Sequence, residues 1–265
     1  MRELSYLAQT NDMSERSLDE VDDLIERALA KNPDDVQANV QKAINCFRKA
    51  MSGVWPALEV AAEGRDAARR AIRLDPRTAN AHSLLSFAYA VLGETERAIE
   101  SAERARVLNP NGWGSYMALT VVEICAREGR PLDAASIIEN SQMVARLAPN
   151  HPLLLWQKTI ETIGLFIRAE EAGEDLAEVA VAFDRIGTDD SYASWWPGVF
   201  GAIVALRRAR EDEARSVLAE AQRVLPDLTY SRLHELFGET ELWARWRAEF
   251  ERMPSLGLPE APPAG

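Results

Sequence analysis

The residues best suited to acid–base, metal or nucleophilic chemistry are few and far apart in this sequence. Its three histidines are His82, His151 and His234, and its two cysteines are Cys46 and Cys125. A catalytic or metal site needs several such groups to converge. His234 opens the string HELFGE, but the second histidine of a zinc-binding helix is missing. We therefore expect structural or solvent-facing histidines, no metal and no cofactor.

Acidic pairs give no better candidate for catalysis. Carboxylates on neighbouring helix positions do not face each other, so adjacent acids in this sequence are expected to be solvating charges. Such pairs are Asp22 with Asp23, Glu170 with Glu171, and Asp189 with Asp190. The sequence also contains no P-loop, no G-x-S-x-G, no H-E-x-x-H and no paired C-x-x-C. We predict a protein that is not an enzyme.

Charge and hydropathy exclude two further classes. The formal net charge is -12, which disfavours nucleic acid as a partner because that binding depends on many Lys and Arg contacts. The longest apolar run, VFGAIVAL at 199–206, is far shorter than the roughly 20 residues needed to span a bilayer. The amino-terminal residues contain no apolar signal segment. We predict a soluble, cytoplasmic protein with neither a nucleic-acid nor a membrane partner.

With these classes excluded, the helices of the chain are the remaining carriers of function. Prolines end its helical segments at recurring intervals. Five apolar helical segments each reach a proline within three residues of their last apolar position. The segments are RALAKNP, RAIRLDP, RARVLNP, VARLAP and AQRVLP, which end at Pro33, Pro76, Pro110, Pro149 and Pro226. Proline cannot continue the hydrogen-bond ladder of a helix. This recurrence predicts a series of two-helix units.

The spacing of these prolines resembles that of the tetratricopeptide repeat (TPR) family. Pro110 follows Pro76 by 34 residues, which is the TPR period. Residues 79–110 match the family pattern at Leu85, Tyr89, Gly93, Ala98 and Pro110, among others. His82 stands in place of the family aromatic, Ser86 in place of a glycine and Ala102 in place of a large apolar residue. The resemblance implies an all-α fold built from helical hairpins.

Small residues in the second helix of this unit have a packing role. Ala98, Ala102 and Ala105 are spaced three and four residues apart, so they share one face of the helix. Two helices approach closely only where side chains are small, and Leu85 and Tyr89 of the first helix can pack over this stripe. We expect the pair to form a tight hairpin. Ala98→Phe should overpack it and cost about 1 to 3 kcal/mol of stability.

The predicted architecture is a right-handed α-solenoid of about six TPR-like hairpins, spanning residues 1–253. The first hairpin would pair residues 2–12 with a helix that opens at Ser17. The amphipathic segment 239–253 predicts a carboxy-terminal capping helix, and the Pro-rich residues 254–265 predict a flexible tail.

Stacked hairpins leave an extended concave surface lined by their first helices. By offset from the prolines, this inner row is predicted to be apolar and to include seven partner-binding residues. They are Phe87, Met117, Val121, Ile124, Trp196, Val199 and Ile203. TPR domains that grip chaperone carboxy-termini present Lys, Asn and Arg, which are missing from this row. The alternative is that the seven residues are simply core, covered by neighbouring helices of the same protein.

The first functional hypothesis is a non-enzymatic scaffold or adaptor that binds an apolar or amphipathic peptide or helix of another protein in its groove. The second rests on a narrower resemblance, carried by the string PDLTYSR at 226–232 and by LGLPE at 256–260. These look like the carboxy-terminal TPR half of bacterial proteins that carry a class III adenylate cyclase or a winged-helix regulator domain. That resemblance implies a regulatory or dimerising module, and a homodimer is left open.

Overall fold

A computed structural model describes residues 15–53, 55–151, 153–187 and 194–261. Within these ranges the chain forms fourteen α-helices and one 3-10 helix, and its strand-like pairing is limited to a single antiparallel bridge between Arg127 and Thr240. The predicted all-α helical repeat fold is confirmed. The segment 2–12, predicted as the first helix, lies outside the described residues.

The chain divides into two compact units where the sequence predicted a single domain over 1–253. Unit 1 comprises Met1–Val122 and Met143–Pro152, and unit 2 comprises Glu123–Gln142 and Leu153–Gly265. Two of the three boundaries between them fall within helices, and the third precedes the helix Leu154–Ala172. The two divided helices are α6 (Trp113–Ile124) and α7 (Ala134–Leu147).

The first five helices of unit 1 each pack against the next. They are α1 (Glu15–Lys31), α2 (Val36–Ser52), α3 (Ala57–Leu74), α4 (Ala79–Val91) and α5 (Thr95–Leu108). Helices α2 and α3 form one hairpin, α4 and α5 form the next, and the two first helices also touch each other. In α2, Lys42 Nζ lies 2.7 Å from Glu26 of α1 and 2.9 Å from Glu63 of α3. Burial alone would lower the pKa of Lys42, but these two hydrogen bonds raise it above its usual value.

Unit 2 continues the pattern and adds a carboxy-terminal group of short helices. Its elements after α7 are α8 (Leu154–Ala172), α9 (Ala177–Gly187), α10 (Trp196–Arg207), α11 (Glu211–Val224), α12 (Tyr230–Phe237), α13 (Glu241–Arg245), α14 (Arg247–Arg252) and a 3-10 helix (Met253–Leu256). Helix α9 packs against α8 and α10, and α10 packs against α11. Two short helices are capped by threonine, since Thr229 accepts from Arg232 N and Thr240 accepts from Trp243 N.

Three of the five prolines also accept a hydrogen bond from a side chain. In three successive hairpins, the side chain six residues after the proline donates to the carbonyl oxygen of that proline. The pairs are Asn39 with Pro33 (3.2 Å), His82 with Pro76 (3.1 Å) and Tyr116 with Pro110 (3.1 Å). An amide, an imidazole and a phenol can each supply this donor. His82 therefore has a structural role at the start of its hairpin.

The small-residue stripe lies in the core as the sequence predicts. Ala98, Ala102 and Ala105 of α5 are fully or almost fully buried, and so are Leu85 and Tyr89 of α4. Helices α4 and α5 form a closely packed pair. Small side chains at the seam allow the two backbones to approach while the larger residues fill the space beside them.

The hairpin α10–α11 repeats the turn of α4–α5 bond for bond. In α4–α5, Glu94 N donates to Tyr89 O (2.8 Å), and in α10–α11 Arg210 N donates to Ala205 O (2.9 Å). The turn residue is Gly93 in the first hairpin, with φ 75°, and Ala209 in the second, with φ 57°. A left-handed conformation is strained for alanine because its Cβ crowds the backbone. The repeat geometry therefore imposes a conformation that the sequence at this position does not favour.

The carboxy-terminal segment departs from its prediction in two ways. The expected capping helix over 239–253 is split into α13 and α14, which meet at Trp246. Residues after 253 are docked, since Leu256 and Leu258 are buried and Tyr230 N donates to Pro259 O (2.8 Å). The predicted tail boundary is thereby corrected for residues 254–261, because apolar side chains there join the core. Residues 262–265 lie outside the described residues.

Candidate protein-interaction surface

The three histidines have separate, structural surroundings. In unit 1, the ring of His151 lies 4.0 Å from that of Trp113, and burial lowers the pKa of His151. In unit 2, the ring of His234 lies 5.1 Å from that of Trp243. Across the described ranges, no three His, Cys, Asp or Glu side chains come together in a way that could hold a metal ion.

The two thiols are poorly suited to nucleophilic chemistry. Burial raises the pKa of Cys46 and of Cys125 to about 12. A thiol reacts as its thiolate, so both side chains stay protonated and weakly reactive at neutral pH.

All seven residues of the predicted inner row are buried. The exposed fraction of Phe87, Met117, Val121, Ile124, Trp196, Val199 and Ile203 lies between 0% and 8%. In unit 1, the ring of Phe87 packs edge-on against Phe47 of α2, with 4.0 Å between centroids. Partner binding by these seven residues stays a prediction, and their burial favours the alternative that they are core.

In unit 2, Trp196 of this row is covered by the carboxy-terminal segment of the chain itself. Phe237 lies 5.2 Å from Trp196 and 5.8 Å from Phe200, measured between ring centroids. Trp246 stacks on Phe166 of α8 at 4.5 Å, with the two planes only 9° apart. Aromatic pairs in these arrangements are favourable beyond the area they bury. The first helices α8 and α10 therefore hold a helical segment of their own chain.

Glu170, near the end of α8, anchors this segment through charge. Its carboxylate accepts from Trp246 Nε1 at 2.9 Å and from Arg245 Nε at 3.1 Å. Arg207 Nε of α10 lies 3.0 Å from the same carboxylate and 3.3 Å from that of Glu249. Charge-assisted hydrogen bonds are about twice as strong as neutral ones. Glu170 thus links α8, α10 and the carboxy-terminal helices.

The loop after α6 fastens the other end of the segment. Glu128 N donates to Glu239 O (3.0 Å), and Glu241 N donates to Ala126 O (2.7 Å). Gly129 N also donates to the Glu241 carboxylate at 2.7 Å, across 112 positions of sequence. Sequence reasoning found the amphipathic character of 239–253 but missed these partners, because nothing local signals a contact so distant along the chain.

A cavity of about 450 Å³ opens on another part of unit 2, between the second helices α9 and α11 and above the first helix α10. Its walls are mainly small or apolar residues with charged residues among them. They are Ala177, Ala180, Val181, Phe183, Asp184, Gly187, Ser194, Pro197, Gly198, Gly201, Arg208, Arg210, Glu213, Val217, Glu220, Ala221 and Val224. No feature of the sequence pattern predicts this cavity.

The two α10 glycines of this cavity have different surroundings. A Cβ on Gly198 would lie 2.7 Å from Val217 O and 2.8 Å from Ala221 Cβ, both closer than real Cβ contacts. A Cβ on Gly201 would meet Phe183 Cβ at 3.6 Å and Val217 Cγ2 at 3.9 Å, which are ordinary contacts. Gly198 therefore permits the close approach of α11, whereas Gly201 leaves room for a methyl group in ordinary contact with Phe183 and Val217.

Comparison with known proteins supports the fold of this chain. No protein-family model matches the chain, and the search of curated proteins found no match. Among solved structures, the chain is similar to TTC0263, a thermophilic TPR protein of Thermus thermophilus, with 16% identity and a TM-score of 0.56. The match covers 82% of this chain and 100% of that one. The chain has a TPR-like fold.

Two further similar structures have lower TM-scores. YrrB, described as a TPR protein with an unusual peptide-binding site, gives 15% identity and a TM-score of 0.42, covering 79% of this chain and 96% of that one. Yeast Tom70 gives 15% identity and a TM-score of 0.46, covering 91% and 53%. The resemblance to cyclase and winged-helix proteins stays a prediction, as do the cytoplasmic location and the homodimer. No described helix of this TPR-like chain is both long and apolar enough to cross a membrane.

Proposed function

We propose that this TPR-like protein is a non-enzymatic interaction module that holds an apolar or amphipathic helical segment of another protein. The observation that carries the proposal is the intramolecular one in unit 2. There, the first helices α8 and α10 already bind an amphipathic segment through Trp246, Phe237 and Arg245. Helix-in-groove recognition uses the same apolar anchors and flanking charges when the segment belongs to a different chain.

The surface proposed for a partner is the inner face of unit 1. The positions four residues after Pro33 and Pro76 are Gln37 and Asn80, and both are exposed. They begin the faces of α2 and α4 that contain Phe47 and Phe87. An amphipathic partner helix would meet these exposed positions with its polar side chains, since the large apolar residues beneath them are already packed.

The test compares, by crosslinking mass spectrometry, the proteins that crosslink to the full wild-type chain with those that crosslink to a variant. That variant combines Gln37→Arg with Asn80→Arg. Two bulky charges at exposed positions should block the inner face without disturbing the core. The matched control is Val107→Arg on the second helix α5, where the side chain is 68% exposed. We expect specific protein crosslinks to disappear in the double variant and to persist in the control. Crosslinks that persist in both proteins would refute binding at the inner face.

A further inference from the structure

Two arginines of unit 1 lie over the same tyrosine ring. The guanidinium carbon of Arg69, on α3, is 5.7 Å from the centre of the Tyr89 ring, and that of Arg97, on α5, is 5.8 Å from it. Tyr89 belongs to the first helix α4 and is buried. A guanidinium group is attracted electrostatically to an aromatic face. The buried ring therefore brings one cation from each of the second helices α3 and α5 to the same place.

Further arginines continue along both helices. Arg73 follows Arg69 by four residues on α3, and Arg104 follows Arg97 by seven residues on α5. Each therefore shares a helix face with the arginine before it. All four side chains belong to exposed residues. We call these four residues the outer arginine patch, since they stand on second helices and not on the inner row.

Most of the outer arginine patch is unpaired. Arg97 forms an ion pair with Glu94. Among the residues that the structure describes, the side chains of Arg69, Arg73 and Arg104 form neither an ion pair nor a hydrogen bond. The chain has 42 acidic and 30 basic residues, so a shortage of acids does not explain why these three arginines lack one. Their guanidinium groups are available to the anions of a partner.

The acids of α5 form a separate ridge beside this patch. Glu96, Glu100 and Glu103 are spaced three and four residues apart and share one face of the helix. Glu103 is paired with Arg106. The two arginines of the patch on α5 stand beside this ridge, on the side that meets the tyrosine ring. Repulsion from the ridge would direct an anionic segment towards the seam between α3 and α5.

The chemistry and spacing of the patch fit side-chain carboxylates. A guanidinium group binds a carboxylate through two parallel hydrogen bonds. Arg69 and Arg73 are about 6 Å apart along the axis of α3, which matches carboxylates one turn apart on a partner helix. Nucleic acid fits less well, because its binding depends on many more cations and the formal net charge of the chain is -12.

We infer that the outer arginine patch binds an acidic segment of a partner protein, whose side-chain carboxylates pair with Arg69, Arg73 and Arg104. The segment lies along the seam between α3 and α5. This surface is separate from the inner face of unit 1, where Gln37 and Asn80 stand. The two surfaces can therefore be tested, and can fail, independently.

The experiment titrates rhodamine-labelled peptides into the full chain and follows fluorescence anisotropy. The probe is an alanine-rich helix with a glutamate at every fourth position. Two control peptides replace the glutamates by glutamine or by lysine. We expect saturable binding of the probe that weakens as salt is added, and at least tenfold weaker binding of each control. Equal affinity for all three peptides, or no binding of the probe, would overturn the proposal.

Charge-reversal variants of the protein assign the binding to the patch. Arg69→Glu combined with Arg104→Glu reverses two unpaired charges at exposed positions, where substitution disturbs the fold little. The matched control combines Arg27→Glu on α1 with Arg168→Glu on α8. Both control positions are exposed and, within the described ranges, form no ion pair. We expect a loss of at least tenfold in the patch variant and wild-type affinity in the control, with unchanged circular dichroism in both.

A conservative variant tests the geometry of the contact. Arg69→Lys combined with Arg104→Lys keeps both charges but removes the forked donors that match a carboxylate. We expect its affinity for the probe to lie between those of the wild type and the charge-reversed patch. Wild-type affinity in this variant would show that charge alone holds the peptide and would contradict the paired contacts inferred above.

Four further results would contradict the assignment. An equal loss in the control variant would show that only the overall charge of the chain attracts the peptide. Unaltered affinity in the charge-reversed patch would place the peptide elsewhere. Loss of affinity in Asn80→Arg would assign the peptide to the inner face. Complete displacement of the probe by an equal concentration of inorganic phosphate would make a small anion the occupant instead.

Discussion

Two glycines in one helix provide a sharp test of the packing around the cavity. Replacing either Gly198 or Gly201 of α10 by alanine improves helix propensity by about 0.8 to 1 kcal/mol. The sequence alone therefore predicts that both variants are more stable than the wild type. The structure predicts opposite outcomes for them, because their Cβ atoms meet different neighbours.

At Gly201 the new methyl group would lie 3.6 Å from Phe183 Cβ and 3.9 Å from Val217 Cγ2. These are favourable contacts, so the gain in propensity should be kept and the free energy of unfolding should rise by about 1 kcal/mol. At Gly198 the methyl group would lie 2.7 Å from the backbone oxygen of Val217, which cannot move without shifting α11. Overpacking of this kind costs about 1 to 3 kcal/mol. We expect a net loss of about 1 kcal/mol in Gly198→Ala.

Urea unfolding followed by tryptophan fluorescence measures the difference. Five of the seven tryptophans belong to unit 2, so the signal reports mainly on the unit that carries both glycines. A separation of about 2 kcal/mol corresponds to roughly 4 to 8 °C in Tm for a protein of this size class. If both variants gain stability equally, the close approach of α10 and α11 is wrong. If Gly201→Ala loses stability, the space above α10 is not open.

Three further predictions concern the turn, a buried imidazole and the anchor of the carboxy-terminal helices. Ala209→Gly should raise the free energy of unfolding by about 1 kcal/mol, since glycine accepts the left-handed conformation that Gly93 adopts in the other hairpin; unchanged urea unfolding would contradict that strain. Burial lowers the pKa of His151, so the stability that its neutral form contributes is complete above the unfolded pKa of about 6.5 and is lost as pH falls through the folded pKa. The variant His151→Phe should therefore flatten the acid side of a curve of Tm against pH. An unaltered curve would argue against burial of the imidazole. Glu170→Gln keeps the shape of the side chain but removes the charge shared by Arg207 and Arg245. The free energy of unfolding should fall by about 1 to 3 kcal/mol, and hydrogen exchange in α13 and α14 should increase. Exchange at the wild-type rate would show that the aromatic contacts alone hold these two helices in place.

The repeat could be predicted from the sequence because its determinants are local. Each proline stops a helix wherever it stands, and alanines spaced three and four residues apart share a face whatever lies opposite. This is why the hairpin of Ala98 and Pro110 was placed correctly. The turn at Ala209 shows the limit of such reasoning, since its left-handed backbone follows from the hairpin geometry and not from the residue type.

The candidate surfaces could not be predicted to the same extent. Trp196, Val199 and Ile203 were assigned to an inner row by counting from a proline, and the count says nothing about what covers them. Trp196 is covered by Phe237 of α12, and the neighbouring Phe200 packs against Trp246. These contacts join residues far apart in the sequence.

The sequence by itself determined the helices, their pairing into hairpins and the acidic character of the chain, because these depend on local spacing and on composition. Only the tertiary structure decided which faces are covered and where space remains. Burial depends on which distant segments pack together, as the docking of α13 and α14 on α8 and α10 shows. A cavity likewise exists only where neighbouring helices leave volume unfilled, as they do beside Gly201 but not at Gly198, and that outcome depends on α9, α10 and α11 together.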